Sequence, residues 1–146
     1  EALLSDATPV ALAARLCQIN PEVQASALAL RLEPGRVAEV FGTADLLIEA
    51  FDRAEDKRWL IEAWCRAFPE RPVIAGSGVS GLGNSGRLRV RRSGLIAVCG
   101  DEVSDASEGL CAPRVAIVAN LRADLAVQWL VLGTLEEQGG RHADRQ

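Results

Sequence analysis

Apolar and polar positions along the chain predict helices and strands in turn. Thr8, a hydroxyl residue suited to cap a helix, and Pro9 precede apolar residues that recur at helical spacing as far as Ile19. The "INP" that begins at Ile19 ends this helix, because the residue before a proline resists the helical region. Segment Val23–Leu32 then has the pattern of a strand, and Arg36–Phe41 that of a short helix.

The middle of the chain carries the clearest strand. "ADLLIEAF", at Ala44–Phe51, is almost continuously apolar and ends abruptly at Asp52, as is typical of a central parallel strand covered on both faces. Ala54–Phe68 follows as an amphipathic helix, and "RPVIAGS" as the next strand. This alternation predicts a parallel sheet with right-handed crossovers. Its strands are expected at about Val23–Leu32, Leu46–Phe51 and Val73–Ser77.

The stretch "GSGVSGLGNSG", at Gly76–Gly86, contains the spacing G-x-G-x-x-G of a dinucleotide-binding loop. That loop binds pyrophosphate only where it turns a strand directly into a helix. Here the residues after Gly81 lead instead into the alternating "RLRVRR", which predicts a hairpin over Arg87–Cys99 with its turn at "SG". We therefore interpret the glycines as a flexible turn.

The last third of the chain predicts a loop followed by a long helix. The segment "GDEVSDASEGLC" is acidic and rich in serine, with spacing too irregular for an EF-hand, so a mobile crossover is expected. Pro113–Leu132 is a long apolar helix with Gly133 as its C-terminal stop. Arg122 and Asp124 interrupt it, which argues against a membrane span and favours a buried or interface helix. Residues 134–146 are expected to form a polar tail after a domain at 1–133.

Composition narrows the function classes. The 146 residues suffice for one domain, and the net charge of −4 lacks the basic footprint of a nucleic-acid binder. The single histidine, His142, lies in the polar tail, which excludes histidine-based triads and H-E-x-x-H metal sites. Four scattered cysteines form no C-x-x-C pair and no visible zinc site, and they favour a reducing, cytoplasmic setting. The chain contains no Met, so we expect it to be part of a longer protein.

Asp52 is the foremost candidate for chemistry. Ligands of open α/β sheets bind beyond the carboxyl ends of the strands, and Asp52 follows the most apolar strand. Its carboxylate has two possible roles: it could hold Mg²⁺ beside nucleotide phosphates, or it could cap the helix that begins at Ala54. Cys99 and Cys111 flank the acidic loop and are candidates for reactive thiols.

A local basic patch is formed by Arg87, Arg89, Arg91 and Arg92. It suits a solvated hairpin face better than a docking site for an acidic partner.

The order of these segments resembles a known family. "ARLCQINPEVQ", "ADLLIEAFDRAEDKRWLIE", "PVIAGSGVSGLG" and "GLCAPRVAIVANLRADLAVQWLVLG" follow one another as in the ThiF/MoeB/HesA adenylyltransferases, which are similar to ubiquitin-activating enzymes. The resemblance covers Thr8–Gly133 and is strongest to the thiamine-branch ThiF members. It implies a Rossmann-like α/β fold with parallel strands, an antiparallel hairpin and a long C-terminal helix. The N-terminal nucleotide-binding unit of that fold is missing from this chain.

The resemblance also implies an activity. Members use ATP and Mg²⁺ to adenylate the C-terminal glycine of a ubiquitin-like sulfur-carrier protein, and they form dimers. The family's Mg²⁺–phosphate aspartate carries over to Asp52. A homodimer is therefore expected, with the final helix or the Trp59/Trp64 helix near the interface, and no nucleic-acid or membrane partner.

Departures from the family pattern leave alternatives open. Val10 stands where the family usually has a lysine, and Arg53 where many members have Asn. The family's Gly-rich nucleotide loop and phosphate-binding arginines are not present, so the chain alone is not expected to bind ATP measurably. A non-catalytic relative that binds a ubiquitin-like protein is the alternative that Val10 favours. A nicotinamide-dependent oxidoreductase fragment is another, and it would require a strand–glycine–helix unit.

Overall fold

The computed structural model describes residues 9–137, which divide at residue 33 into two compact units. The first unit contains helix α1, Pro9–Ile19, which ends where the proline rule predicts. The backbone N–H of Asn20 still donates to Leu16 O at 3.0 Å. Thr8, the expected cap of this helix, lies outside the described residues.

The strand expected at Val23–Leu32 is wrong, because this segment is irregular. Most of its residues are apolar, yet Val23 and Leu28 are 42% and 55% exposed. No strand of the described chain pairs with it, and an extended segment becomes a strand only by sharing its backbone hydrogen bonds with a neighbour.

The second unit contains the sheet and the other helices. Its regular elements, in chain order, are a 3₁₀ turn at Pro34–Arg36, α2 at Val37–Val40, β1 at Leu47–Ile48, α3 at Ala54–Ala67, β2 at Val73–Gly76, a 3₁₀ turn at Ser85–Arg87, β3 at Arg89–Ser93, β4 at Ile96–Gly100, a 3₁₀ turn at Ala106–Glu108 and α4 at Ala112–Leu132.

The four strands form one mixed sheet in the order β1-β2-β4-β3. β1 is parallel to β2, β2 is parallel to β4, and β3 pairs antiparallel with β4. All four residues of β2 are buried, and this strand contacts both α3 and α4. The expected α/β fold, with parallel strands, crossover helices and a hairpin that extends the sheet, is therefore confirmed.

β1 is shorter than its apolar run suggested. Leu47 N donates to Pro72 O at 3.0 Å and Glu49 N to Ile74 O at 2.9 Å, after which the chain leaves the sheet. The residues from Ala50 onward instead form the connection to α3.

The hairpin turn is displaced by one residue from the expected position. Ser93 pairs with Ile96, so the two turn residues are Gly94 and Leu95. Gly94 has φ +58° and Leu95 has no positive φ, the combination of a type II′ turn.

α4 is the long apolar helix that the sequence predicted, and it ends at Gly133 in the left-handed conformation with φ 68°. Its mean hydropathy of 1.5 and its 21 residues would suffice to cross a membrane. Val118, Leu125 and Ala126, however, pack into one core with Ile74, Ala97 and Cys99 of the sheet. These are the contacts of a helix that covers a sheet face.

The segment after α4 differs from the expected polar tail at residues 134–137. Leu135 is 3% exposed and belongs to the same core, and Glu136 O accepts a hydrogen bond from Gln128 Nε2 at 2.7 Å. Glu137 pairs with Arg92 at 3.0 Å. His142 lies outside the described residues.

Candidate functional site

The candidate site lies where the three parallel strands end. Because β1, β2 and β4 run in the same direction, their carboxyl ends meet at one edge of the sheet. The segments that leave this edge begin with Glu49, Ser77 and Asp101, and the first of them leads to Asp52. We call this the carboxyl edge; it is where open α/β sheets bind their ligands.

Asp52 is exposed in the connection between β1 and α3. The N-cap of α3 is Arg53, in an extended conformation and with no side-chain capping bond, so the alternative that Asp52 caps this helix is wrong. Within residues 9–137 no hydrogen bond or ion pair engages the Asp52 carboxylate. An exposed, unengaged carboxylate at the carboxyl edge fits a hard cation such as Mg²⁺, which prefers oxygen ligands.

Glu49, three residues before Asp52, has a fully buried side chain. Lys57 Nζ, from the first turns of α3, lies 3.0 Å from Glu49 Oε2 and 3.3 Å from Oε1. The backbone N–H of Phe51 donates to Glu49 Oε1. The carboxylate therefore joins the end of β1, the connection that follows it and α3.

Arg122 of α4 completes this arrangement. Its Nη1 donates to the backbone oxygen of Glu49 at 2.9 Å across 73 residues of sequence. The same guanidinium lies against Gly76 at the end of β2, where an added Cβ would contact Nη1 at 3.5 Å. Arg122 thus ties the ends of β1 and β2 to the covering helix.

The glycine-rich stretch forms the loop after β2. Between Gly76 and Arg89 the only regular element is the 3₁₀ turn at Ser85–Arg87, so no helix begins at Gly81. The rejection of a dinucleotide-binding loop is therefore confirmed. Two glycines allow the loops after β2 and β4 to approach closely: at Gly78, φ +68°, a Cβ would overlap Asp101 Oδ1, and at Gly100, φ +141°, it would overlap Ser77 O.

Arg114 and Asp101 hold these two loops together. Arg114 is 5% exposed; it donates to Asp101 Oδ2 and, through Nη1, to Gly83 O at 2.8 Å. Asp101 Oδ1 accepts from Ser104 N at 2.8 Å and Val103 N at 2.9 Å. These two backbone donors, with the Ser104 hydroxyl and Arg114, lower the Asp101 pKa from 3.8 to about 2.

The acidic loop after β4, which was expected to be a mobile crossover, is internally bonded in the structure. Asp105 and Glu108 form a reciprocal capping box around the 3₁₀ turn, and Gly109 O accepts from Gly81 N at 2.8 Å. Together with the loop after β2, this segment lines a cavity of about 90 Å³, whose charged walls are Arg87, Asp101, Glu108 and Arg114.

The basic patch on the hairpin is partly neutralised by this loop. Glu102 pairs with Arg91 and approaches Arg89 at 4.0 Å, while Arg92 pairs with Glu137. Arg89 and Arg91 keep 69% and 63% of their side-chain surface exposed. The patch is therefore a solvated face whose charge is balanced nearby.

With the geometry described, comparison with known proteins assigns the family. Residues 8–142 match the ThiF family. The chain belongs to the ThiF family. This confirms the resemblance drawn from the order of its segments.

Two solved structures share the ThiF-family fold with this chain. Both are crystal structures of tRNA N6-threonylcarbamoyladenosine dehydratase from E. coli, one in complex with AMP (TM-score 0.58, 16% identity) and one with ATP (TM-score 0.56, 17% identity). Each alignment covers 82% of this chain and 65% of the other. The chain thus spans about two thirds of the length of these structures. No curated protein matched it.

The thiols differ in how accessible they are. Cys99 is fully buried in the core beneath α4, and burial raises the pKa of its thiol. Both features disfavour the thiolate that a nucleophile requires. Cys111 is half-buried immediately before α4, so reactivity at this position stays a prediction.

Sequence reasoning proposed Asp52 but assigned no role to four charged residues that bond the loops of the carboxyl edge. Glu49, Lys57, Arg114 and Arg122 are identified only by their contacts. A signal existed: Glu49 is the one charged residue inside the apolar run "LLIEAF", and Arg122 lies in an apolar helix. Among residues 9–137 no three His, Cys, Asp or Glu side chains converge on a metal position, so Mg²⁺ at Asp52 would need phosphate and water oxygens as further ligands.

Proposed function

We propose that this ThiF-family chain belongs to an ATP- and Mg²⁺-dependent adenylyltransferase that activates the C-terminal glycine of a ubiquitin-like sulfur-carrier protein. The observation that carries the proposal is the unengaged Asp52 carboxylate at the carboxyl edge of a ThiF-family sheet. The complexes of the E. coli relative with AMP and ATP support adenine-nucleotide binding by this fold.

In the proposed reaction the carrier's terminal carboxylate attacks the α-phosphorus of ATP. A bond forms from the carboxylate oxygen to phosphorus, and the bond to the β-phosphate oxygen breaks, so that pyrophosphate leaves and an acyl-adenylate remains. Mg²⁺, when bound, neutralises charge on the phosphate oxygens. Asp52 is the residue that would hold this cation at the carboxyl edge, and the bound cation would help to position the phosphates for attack.

Three alternative functions compete with this one. Val10 in place of the family lysine favours a non-catalytic relative that binds a ubiquitin-like protein. The oxidoreductase reading lacks support, because β2 leads through a loop to a hairpin and not to a helix. A tRNA substrate, as in the name of the E. coli relative, is disfavoured by the net charge of −4.

Four free thiols are consistent with a reducing, cytoplasmic setting.

Asp52→Asn tests the proposal in the full-length protein. We expect it to remove most carrier-dependent ATP–pyrophosphate exchange, because an amide does not supply the negative charge that holds Mg²⁺ beside phosphates. Since Asp52 is exposed and does not cap α3, Asp52→Asn and Asp52→Ala should change the free energy of unfolding by less than about 0.5 kcal/mol.

Asp45→Asn is the matched control. Asp45 is an exposed aspartate at the opposite end of β1, so the same change of charge there should leave exchange near that of the wild type. Wild-type exchange in the Asp52→Asn variant would contradict the role proposed for Asp52, and no carrier-dependent exchange in the wild type would contradict the adenylyltransferase assignment. Carrier binding without any exchange in the wild type would establish the non-catalytic reading instead.

A further inference from the structure

The buried charge of Glu49 lies three residues from Asp52. Glu49 is 0% exposed, and the ion pair with Lys57 leaves the lysine side chain 26% exposed. A buried ion pair seldom makes a protein more stable than apolar residues of similar volume would, since both charges lose their hydration. Another reason is needed for a carboxylate at this position.

The contacts of Glu49 fix the backbone that leads to Asp52. Glu49 N is bonded to Ile74 O of β2, and Glu49 O to Arg122 of α4. Glu49 Oε1 accepts from the N–H of Phe51, the residue directly before Asp52. Each peptide group from Ile48 to Phe51 thus has one atom in a hydrogen bond, and in each of these bonds one partner belongs to Glu49.

α3 holds the other side of the same connection. Lys57 bonds both carboxylate oxygens of Glu49, and the ring of Phe51 packs against Trp59 with centroids 5.8 Å apart. Trp59 in turn donates to Asp56 at 3.1 Å. Asp52 therefore lies on a short connection held at Glu49, at Phe51 and by the helix that follows.

We propose that the Glu49–Lys57 ion pair is a positioning device: it fixes the backbone from Glu49 to Phe51 so that the Asp52 carboxylate is presented to Mg²⁺ and the ATP phosphates. The proposal rests on the function proposed above for Asp52. Residues that orient a metal ligand through hydrogen bonds typically change metal affinity or activity by roughly 10- to 100-fold when they are lost.

The test is the double variant Glu49→Leu/Lys57→Met in the full-length protein. It removes both charges together and replaces them with apolar side chains of similar volume. Its melting temperature should therefore stay near that of the wild type. Its ATP–pyrophosphate exchange should nevertheless fall at least about tenfold, with a raised apparent KM for Mg²⁺ at saturating ATP. Lys57→Arg, which keeps a cation beside Glu49, should retain most of the exchange.

Arg71→Gln is the matched control for stability. Arg71 Nη1 donates to Gly42 O and Ala44 O, both at 2.9 Å, before β1 begins and therefore at the opposite end of the strand. Its loss should lower the melting temperature without changing the apparent KM for Mg²⁺. Equal Mg²⁺ dependence in the double variant and in Arg71→Gln would overturn the positioning role.

The two proposals fail in different ways. If Asp52→Asn keeps wild-type exchange, the assignment of Asp52 fails and the positioning role falls with it. If Asp52→Asn abolishes exchange while Glu49→Leu/Lys57→Met keeps both its rate and its Mg²⁺ dependence, only the positioning role is overturned.

Discussion

At the scale of single residues, two glycines decide how closely the loops at the carboxyl edge approach. Gly78 and Gly100 both have positive φ, and a side chain at either position would overlap the facing loop. Both conditions are met only by glycine, which lacks a Cβ and tolerates these backbone angles. The edge is therefore closed by backbone packing between the ends of β2 and β4.

Gly100→Ala should destabilise the protein by about 3 kcal/mol or more, because strain at φ +141° adds to the overlap with Ser77 O. Urea denaturation measures this loss. Gly86→Ala is the control: its Cβ would meet open space at an ordinary φ, so it should be neutral or stabilise by up to about 1 kcal/mol. Equal stability of the two variants would contradict the close approach.

Asp101 predicts a pH dependence. Its pKa is lowered from 3.8 to about 2 in the folded protein, so the folded state binds this proton less readily than the unfolded chain. The carboxylate therefore adds stability above pH 3.8, and the contribution is lost as the pH falls through about 2. Asp101→Asn should flatten the fall in unfolding free energy across this window. If the unfolding free energies of the variant and the wild type fell in parallel with pH, the lowered pKa of Asp101 would be refuted.

At the scale of elements, α4 does more than cover the sheet. Its first turn provides Arg114, which bonds the loops after β2 and β4, and its middle provides Arg122, which bonds the end of β1. One helix thus connects all three loops of the carboxyl edge. Sequence periodicity identifies the helix but not these contacts, since each joins positions far apart in the chain.

Arg114→Met should cost about 3 kcal/mol of unfolding free energy, because it leaves the nearly buried Asp101 carboxylate without its cation. Chemical denaturation measures the cost. The exposed Arg66 of α3 is a control of the same residue type, and Arg66→Met should change stability by less than about 0.5 kcal/mol. A loss at Arg114 as small as that at Arg66 would show that the pair does not hold the loops.

At the scale of the whole molecule, α4 retains apolar surface that the described structure does not cover. Val127, Leu130 and Val131 are 59%, 63% and 73% exposed. Trp64, in contrast, is fully buried and donates to Arg71 O at 3.2 Å, so it is not available to an interface. Of the two helices expected near a dimer interface, α4 has the suitable surface.

We predict a homodimer that buries this face of α4. Val127→Glu/Val131→Glu places two charges one turn apart on it and should shift the mass in solution toward the monomer, as light scattering measures. Leu82→Glu alters an apolar residue that is 79% exposed outside α4, and it should leave the mass unchanged. A wild-type protein that stays monomeric at high concentration would contradict the prediction.

The sequence by itself determined the elements whose signals are local. α3, α4 with its stop at Gly133, and the hairpin are each specified by periodicity or turn chemistry within a few residues. The order of segments also sufficed to assign the family. Asp52 was proposed because it follows an apolar run, although β1 ends at Ile48, before that run does.

Only the tertiary structure decided what depends on distant partners. Segment Val23–Leu32 has a strand-like pattern, but it pairs with no strand of the described chain. Arg122 contacts the Glu49 backbone across 73 residues, and the buried Glu49 carboxylate is paired with Lys57 once α3 has packed beside β1. An ion pair or a strand pair depends on two positions that meet only in the folded chain. A local sequence pattern describes one segment and does not identify its partner.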